Sequence, residues 1–119
     1  MRFLTRKLVQ PGDLNANNTL FGGRMLAWID EEAAIYAMIE TRHKRLVTKC
    51  MSAINFIAPA YQGDIVEIGI ALKKVGSTSI TLEVVARDLT TGKDIVNIDE
   101  MVFVCVDENG VPVKHTLSK

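Results

Sequence analysis

A chain of 119 residues with 14 basic and 14 acidic side chains has a formal net charge of zero at pH 7, which leaves no electrostatic footprint for nucleic acid or an anionic membrane surface. Its length suits one domain that buries about two-thirds of the surface of its unfolded chain. Neither a signal-peptide pattern nor an apolar run of spanning length is present, so the expectation is a cytoplasmic protein with no membrane segment.

Residues 3–9 read as a short strand ended by Pro11 and Gly12. Residues 13–19 are polar and Asn-rich, a loop whose side chains bond to their own backbone. Gly22 and Gly23 then open a helix over residues 24–40, RMLAWIDEEAAIYAMIE, which has no internal Gly or Pro and high helix propensity. Its polar residues Arg24, Asp30, Glu32 and Glu40 fall at separate angles, and a helix apolar nearly all round is expected to be packed on several faces. Three consecutive carboxylates, Asp30, Glu31 and Glu32, sit in the middle of it. The basic run Arg42-His43-Lys44-Arg45 follows, either a cationic helix end favoured by the macrodipole or a site for a phosphorylated ligand.

Residues 46–56 read as a strand, with Pro59 and the Gln62-Gly63-Asp64 turn after it. From Val66 the alternation is clean: Val66, Ile68, Ile70 and Leu72 point one way, with Glu67, Gly69, Ala71 and Lys73 opposed. Gly76-Ser77-Thr78 is a tight connection to a second alternating strand, with Ile80, Leu82, Val84 and Ala86 on one face. A turn at residues 91–94 leads to a long strand over 95–106, closed by Asp107-Glu108-Asn109-Gly110. Cys50 and Cys105 lie in strand segments without metal-ligand spacing and read as buried reduced thiols. Strand, helix, then four strands joined mainly by short turns predicts an α+β domain, a curved antiparallel sheet wrapped around one long central helix.

A carboxylate on a mostly apolar helix suits a general base, since desolvation disfavours its charged form. Asp30 has small helical neighbours, Gly23, Ala27, Ala33, Ala34 and Ala37 among them, which leaves room for water and a substrate. Glu31 is placed to pair with Arg24, but periodicity alone does not separate the three acids. Gly22-Gly23 is either steric relief or a set of free N–H groups for a developing negative charge. Asn15 is either an Asx-turn residue or a substrate contact. There is no Ser/His/Asp nucleophile arrangement and no His/Cys metal cluster.

The segment PGDLNANNTLFGGRMLAWIDEEAA resembles the helix-opening signature of hotdog-fold acyl-CoA thioesterases, the YciA and cytosolic acyl-CoA hydrolase group. That pattern is P-x-D-x-N-x-x-G-x-x-F-G-G followed, after six further residues, by a helical Asp. INFIAPAYQGD, LKKVGSTSI and VFVCVDENGVP agree in order and spacing, so the resemblance covers roughly residues 8–113. Asn18 stands where the family usually has Gly and Thr19 where it often has Asp or Asn. Asn tolerates the left-handed region, so the turn is expected to survive.

The resemblance implies a single hotdog domain over residues 1–119 that hydrolyses acyl-CoA to free carboxylic acid and coenzyme A. It implies Asp30 as general base or nucleophile, with Asn15 and Gly23 completing the catalytic set. Phe21, Gly22, Lys74, Gly76, Ser77 and Ser79 are the implied contacts to substrate and coenzyme A. No metal and no cofactor is expected, coenzyme A entering as part of the substrate. The implied assembly is a homodimer with a continuous sheet and sites at its interface, and beyond it a trimer of dimers. Two rivals stand beside this. Hydratases or dehydratases of the same fold resemble one another in using a His at the loop or helix start, whereas His43 and His115 lie elsewhere. A non-catalytic acyl-CoA-binding regulatory module would tolerate loss of Asp30.

Overall fold

The computed structural model describes residues 1–117. The strand β1 (Arg2–Leu8) and a single 3-10 turn (Pro11–Asp13) precede the helix α1 (Gly22–Thr41). Four strands follow: β2 (Leu46–Phe56), β3 (Ile65–Val75), β4 (Ser79–Asp88) and β5 (Asp94–Cys105). All pairs are antiparallel, and the order across the sheet is β1-β3-β4-β5-β2. The two strands flanking α1 in sequence thus end on opposite edges, and the helix crosses the concave face between them.

The core lies between that face and one stripe of the helix. Val66, Ile68, Leu82, Val84, Ile98 and Phe103 are buried in the sheet. Against them α1 buries Met25, Ile29, Ala33, Ala37 and Thr41, every fourth residue. The small Ala33 and Ala37 let the helix axis approach the strands closely, and Thr41 returns its hydroxyl to the Ala37 carbonyl at 2.7 Å, so no polar group is stranded. The expectation of a helix packed on several faces is corrected for the single chain. Ile35 and Ile39 are exposed, because one sheet covers one face only.

Clean alternation holds where the strands are regular, and the sheet bends where it fails. The register shifts between Leu72 and Lys74 on β3, and between Leu82 and Val84 where β4 meets β5. On β2, Ala53 adopts a left-handed φ of 53° opposite the same line. Such irregularities bend strands and raise local twist, which lets the sheet curve round α1. Lys73 ties the bend, donating to the Asp99 carbonyl at 3.1 Å and lying 3.5 Å from Glu100.

The two cysteines part company. Cys105 is buried, and burial raises its thiol above the ordinary value, with a smaller opposing effect from Thr41. Cys50 is exposed, a correction to the expected burial, because it lies on the uncovered edge strand β2.

Candidate active site

The loop before α1 is built on Asn15. Its side-chain carbonyl accepts N–H groups from Asn17 at 2.9 Å and Thr19 at 3.1 Å, and its amide donates to the Thr19 hydroxyl at 3.0 Å. The Asx-turn reading of Asn15 is therefore realised, and the same residue also lines the groove described below. Asn18 takes a φ of 61°, the left-handed conformation for which the sequence substitutes Asn for Gly. The Phe21 N–H closes the loop on the Asp13 carbonyl at 2.8 Å. Arg24 pairs with Asp13 at 3.3 Å, which corrects the expected Arg24–Glu31 pair.

Phe21 caps α1 with no side-chain hydrogen bond, and the first intrahelical bond runs from the Met25 N–H to the Phe21 carbonyl at 3.1 Å. The N–H groups of Gly22, Gly23 and Arg24 have no carbonyl within the helix to bond. They carry the positive end of the helix dipole, a place for an anion or a carbonyl gaining charge. Both glycines also relieve crowding. A Cβ on Gly22 would meet the Phe56 ring at 3.2 Å, and one on Gly23 would meet the Phe21 ring at 2.8 Å. Beside them runs an open groove of about 320 Å³. Its walls include Leu20, Met25, Phe56, Ile57 and Ile95, apolar enough for an aliphatic segment.

The three acids separate by angle. Asp30 and Glu32 lie about 200° apart round the helix, on either flank of the buried stripe. Asp30 is half-buried and accepts the Thr48 hydroxyl of β2 at 2.8 Å. Glu32 accepts the Thr5 hydroxyl of β1, and Glu31 faces outward, exposed. Gly23 and Asp30 are seven residues apart, so they share one flank about 10 Å apart along the axis. The helix-start N–H groups point along the axis away from Asp30, so one chain cannot present both to a single carbonyl.

The β3–β4 hairpin lies far from this flank. The Gly76 N–H donates to the Ser79 carbonyl at 3.0 Å, and the Ser79 hydroxyl occupies the space where a Gly76 Cβ would stand. His115 binds the hairpin carbonyls, N–H to Ser77 at 3.1 Å and Nε2 to Ser79 at 2.8 Å. Its Nδ1 accepts the Leu117 N–H at 3.2 Å, which leaves the ring proton on Nε2. Thr116 reaches the Thr41 carbonyl at 3.4 Å, so the hairpin sits by the C-terminal end of α1, a helix about 30 Å long. Lys74 is exposed beside it. Asn15, Phe21, Gly22 and Gly23 are thus gathered at one end, Asp30 stands two turns along, and Lys74, Gly76, Ser77 and Ser79 stand at the other. Among the described residues no group of three or more His, Cys, Asp or Glu is placed to hold a metal ion.

Sequence reasoning missed Thr48, Phe56 and His115. The first two lie on β2, where a bulge between Thr48 and Cys50 and the left-handed Ala53 break the alternation. His115 follows the last strand without a periodic signal.

The fold and this site carry known likenesses. Residues 17–95 match the family model of the thioesterase superfamily. The uncharacterized acyl-CoA thioester hydrolase YkhA of Bacillus subtilis is 35% identical over 108 residues, 88% of this chain and 62% of its own length. An alanine variant, at an aspartate, of a hexameric broad-specificity acyl-coenzyme A thioesterase superposes with a TM-score of 0.89 at 30% identity, covering 97% of this chain and 86% of that one. An acyl-CoA hydrolase from Staphylococcus aureus, solved with butyryl coenzyme A, coenzyme A and coenzyme A disulfide, superposes with a TM-score of 0.81 at 30% identity, covering 93% of this chain and 66% of that one. That hydrolase has also been solved as an aspartate-to-alanine and as an asparagine-to-alanine variant, at positions fifteen residues apart. One long helix on a five-stranded antiparallel sheet is the hotdog fold, and the chain belongs to the thioesterase superfamily.

Proposed function

We infer that this chain hydrolyses acyl-CoA thioesters to free carboxylic acid and coenzyme A, with Asp30 as general base or nucleophile. The observation that carries the reading is the flank of α1 on which Asp30 follows the uncapped Gly22-Gly23 start, with Asn15 organising the loop beside it. Asn15 and Asp30 are fifteen residues apart, the separation of the two residues replaced in the Staphylococcus aureus hydrolase. The thioester carbonyl takes the Gly22 and Gly23 N–H groups as its oxygen gains charge, and the groove walled by Leu20 and Phe56 takes the neighbouring aliphatic segment. Thr48 fixes the Asp30 carboxylate while leaving its other oxygen for water.

Asp30 and the helix start of one chain point apart, so the complete site needs two chains. Across a two-fold axis the start of one helix lies beside Asp30 of the other. The β2 edge supplies the contact: eleven residues with Lys49 as their one charge, facing outward with unpaired backbone groups, a template for strand addition. The related thioesterase of the aspartate variant is a hexamer, and a trimer of such dimers is the assembly we assign here. That assembly also brings hairpins of other chains within reach, so Lys74, Ser77 and Ser79 serve the coenzyme A moiety of a site they do not share within one chain. Gly76 keeps the hairpin in shape.

Residues 1–119 act as a single domain of this kind on this reading, and the chain works in the cytoplasm, where its two free thiols stay reduced. No described helix is long and apolar enough to cross a membrane. Release of free thiol from short, medium and long acyl-CoAs tests the activity and the acyl preference together. Turnover with at least one chain length, lost in Asp30→Asn, is the expected result; binding without turnover by the unmodified protein assigns a regulatory module instead.

A further inference from the structure

We propose that His115 is the positioning residue of the β3–β4 hairpin, and that through it the C-terminal strap sets a preference for thioesters that carry the coenzyme A nucleotide over shorter ones. The proposal rests on the reading that this hairpin meets the coenzyme A moiety, and it names what shapes the hairpin for that contact. Residues 111–117 run back along the end of β5, with Pro112 bridging Val106. The strap is anchored on both sides of His115 by bonds outside its ring. The Val113 N–H donates to the Cys105 carbonyl at 2.8 Å, and the Thr116 hydroxyl donates to the Thr41 carbonyl at 3.4 Å. Leu117 packs against the core beyond them.

What the strap does to the hairpin follows from three consecutive carbonyls. That of Ser77 accepts the His115 N–H at 3.1 Å, and that of Thr78 accepts the Cys105 N–H at 2.8 Å. That of Ser79 accepts the Gly76 N–H at 3.0 Å and the His115 Nε2–H at 2.8 Å. All three oxygens are drawn toward β5 and the strap. The chain has no cis peptide bond, and a trans peptide sets its N–H opposite its C=O. The N–H groups of Thr78 and Ser79 therefore face the other way, beside the exposed Ser77 and Lys74. A hairpin gripped in this manner offers N–H, hydroxyl and ammonium groups to a phosphate and turns none of these carbonyls toward it. The imidazole is the one side chain in the grip. Its Nδ1 takes the Leu117 N–H at 3.2 Å while its Nε2 donates to the hairpin, so the ring is held from both nitrogens. Phosphates are what coenzyme A carries and pantetheine lacks, so the grip acts on that difference alone.

The test is thiol release from an acyl-CoA and from the acyl-pantetheine of the same acyl group, in the parent, His115→Leu and His115→Gln. Leucine removes the ring N–H, and the glutamine amide restores a donor of similar reach. Ser79 keeps the Gly76 N–H in every case, so no acceptor is stranded and both variants are expected to fold and assemble as the parent does. In His115→Leu the KM for acyl-CoA is expected to rise about fivefold, the scale of one hydrogen bond, with kcat nearly unchanged. Both constants for acyl-pantetheine should stay at the parent values, and His115→Gln should recover most of the preference for acyl-CoA. An unchanged KM for acyl-CoA in His115→Leu overturns the proposal. An equal rise for both thioesters, or the same loss in His115→Gln, overturns it too and leaves His115 a structural residue only. Calorimetric titration with coenzyme A separates this assignment from hydrolysis itself. A parent that binds coenzyme A but cleaves no thioester, with a Kd about fivefold higher in His115→Leu, sinks the hydrolase reading and keeps the grip. A parent that neither cleaves nor binds removes both.

Discussion

The two edges of the sheet carry the same device. At each edge a threonine on the edge strand donates to a carboxylate on the helix flank, Thr48 to Asp30 at β2 and Thr5 to Glu32 at β1. The surroundings differ. At β2 the strand is long and nearly uncharged, and the helix flank is lined with Gly23, Ala27 and Ala34. At β1 the strand is short and basic, and the flank carries Ile35, Tyr36 and Ile39. Small side chains leave room above the β2 edge, where the proposed site needs it; large apolar ones fill the room at β1. A carboxylate bonded to threonine is thus no functional mark by itself. The edge beside it and the space above it decide.

The comparison breaks most visibly at its two carboxylates. Asp30→Asn keeps size and hydrogen bonding but cannot accept a proton from water, so kcat is expected to fall roughly 10²–10⁴-fold with the fold and assembly intact. Glu32→Gln and Glu31→Gln, measured alongside by thiol release, are expected to keep most of the activity. Loss in Glu32→Gln with survival in Asp30→Asn would transfer the chemistry to the β1 edge. Single turnover in isotopically labelled water separates the two roles open to Asp30. A carboxylate nucleophile acquires label through an acyl anhydride, whereas a general base stays unlabelled.

Next in size is the effect of charging the edges. Val47→Lys on β2 places a cation on the strand expected to pair with a partner, and Leu8→Lys is the matching change on β1. Both side chains are exposed, so neither is expected to disturb the single chain. Activity in Val47→Lys should become dependent on protein concentration, with about a tenfold loss at nanomolar enzyme that recovers at micromolar, about 1.4 kcal/mol in association. Leu8→Lys should follow the parent curve. Dilution series of specific activity read the difference, and identical curves would remove β2 from the dimer.

The hairpin gives a smaller and cleaner effect than its sequence suggests. Gly76 is a poor probe, since the Ser79 hydroxyl fills the space a side chain would need, and any substitution there disturbs the turn. Ser77 is exposed, so Ser77→Asp changes charge alone. Facing the phosphates of coenzyme A, it is expected to raise KM about fivefold, roughly 1 kcal/mol, with kcat nearly unchanged. An unchanged KM would remove the hairpin from the binding site.

How much of this was legible in the sequence follows strand regularity. β3 and β4 were readable because Val66, Ile68, Ile70, Ile80, Leu82, Val84 and Ala86 keep a period of two and all face α1. The Asn15 loop was readable because its turn chemistry is local, down to the left-handed Asn18. The partners of the acids were not, because Thr48 owes its direction to a bulge that no residue type announces. Nor did the helix period separate Asp30, Glu31 and Glu32, since their difference lies in which edge strand each meets. The all-round apolarity of α1 is in place too, but the sheet of one chain covers only one face of it and leaves Ile35 and Ile39 exposed.

A third carboxylate, away from both edges, calibrates the comparison with the smallest expected effect. Asp88 closes β4, is 1% exposed, and accepts the Thr90 and Thr91 N–H groups at 2.8 and 3.3 Å through Oδ1. Its Oδ2 is buried without a hydrogen-bond partner of its own among the described residues. Burial first, then the neighbouring Asp64 carboxyl, push its pKa up, against the opposing pull of the two threonine N–H groups. A raised value in the folded state fixes the sign: the protonated form favours folding, and its contribution is complete below the ordinary carboxylate range. That contribution is lost as pH rises through the raised value. Asp88→Asn carries an amide N–H2 where the proton sat and does not titrate. The parent midpoint, relative to that of Asp88→Asn, should therefore be higher in acid and decline by a few degrees toward neutral pH, as thermal unfolding across a pH series reads it. Thiol release at neutral pH should be the same in both. A midpoint difference that stays flat with pH would show that Asp88 ionises as freely in the fold as in the unfolded chain, and that burial away from the edges does not set the behaviour of a carboxylate here.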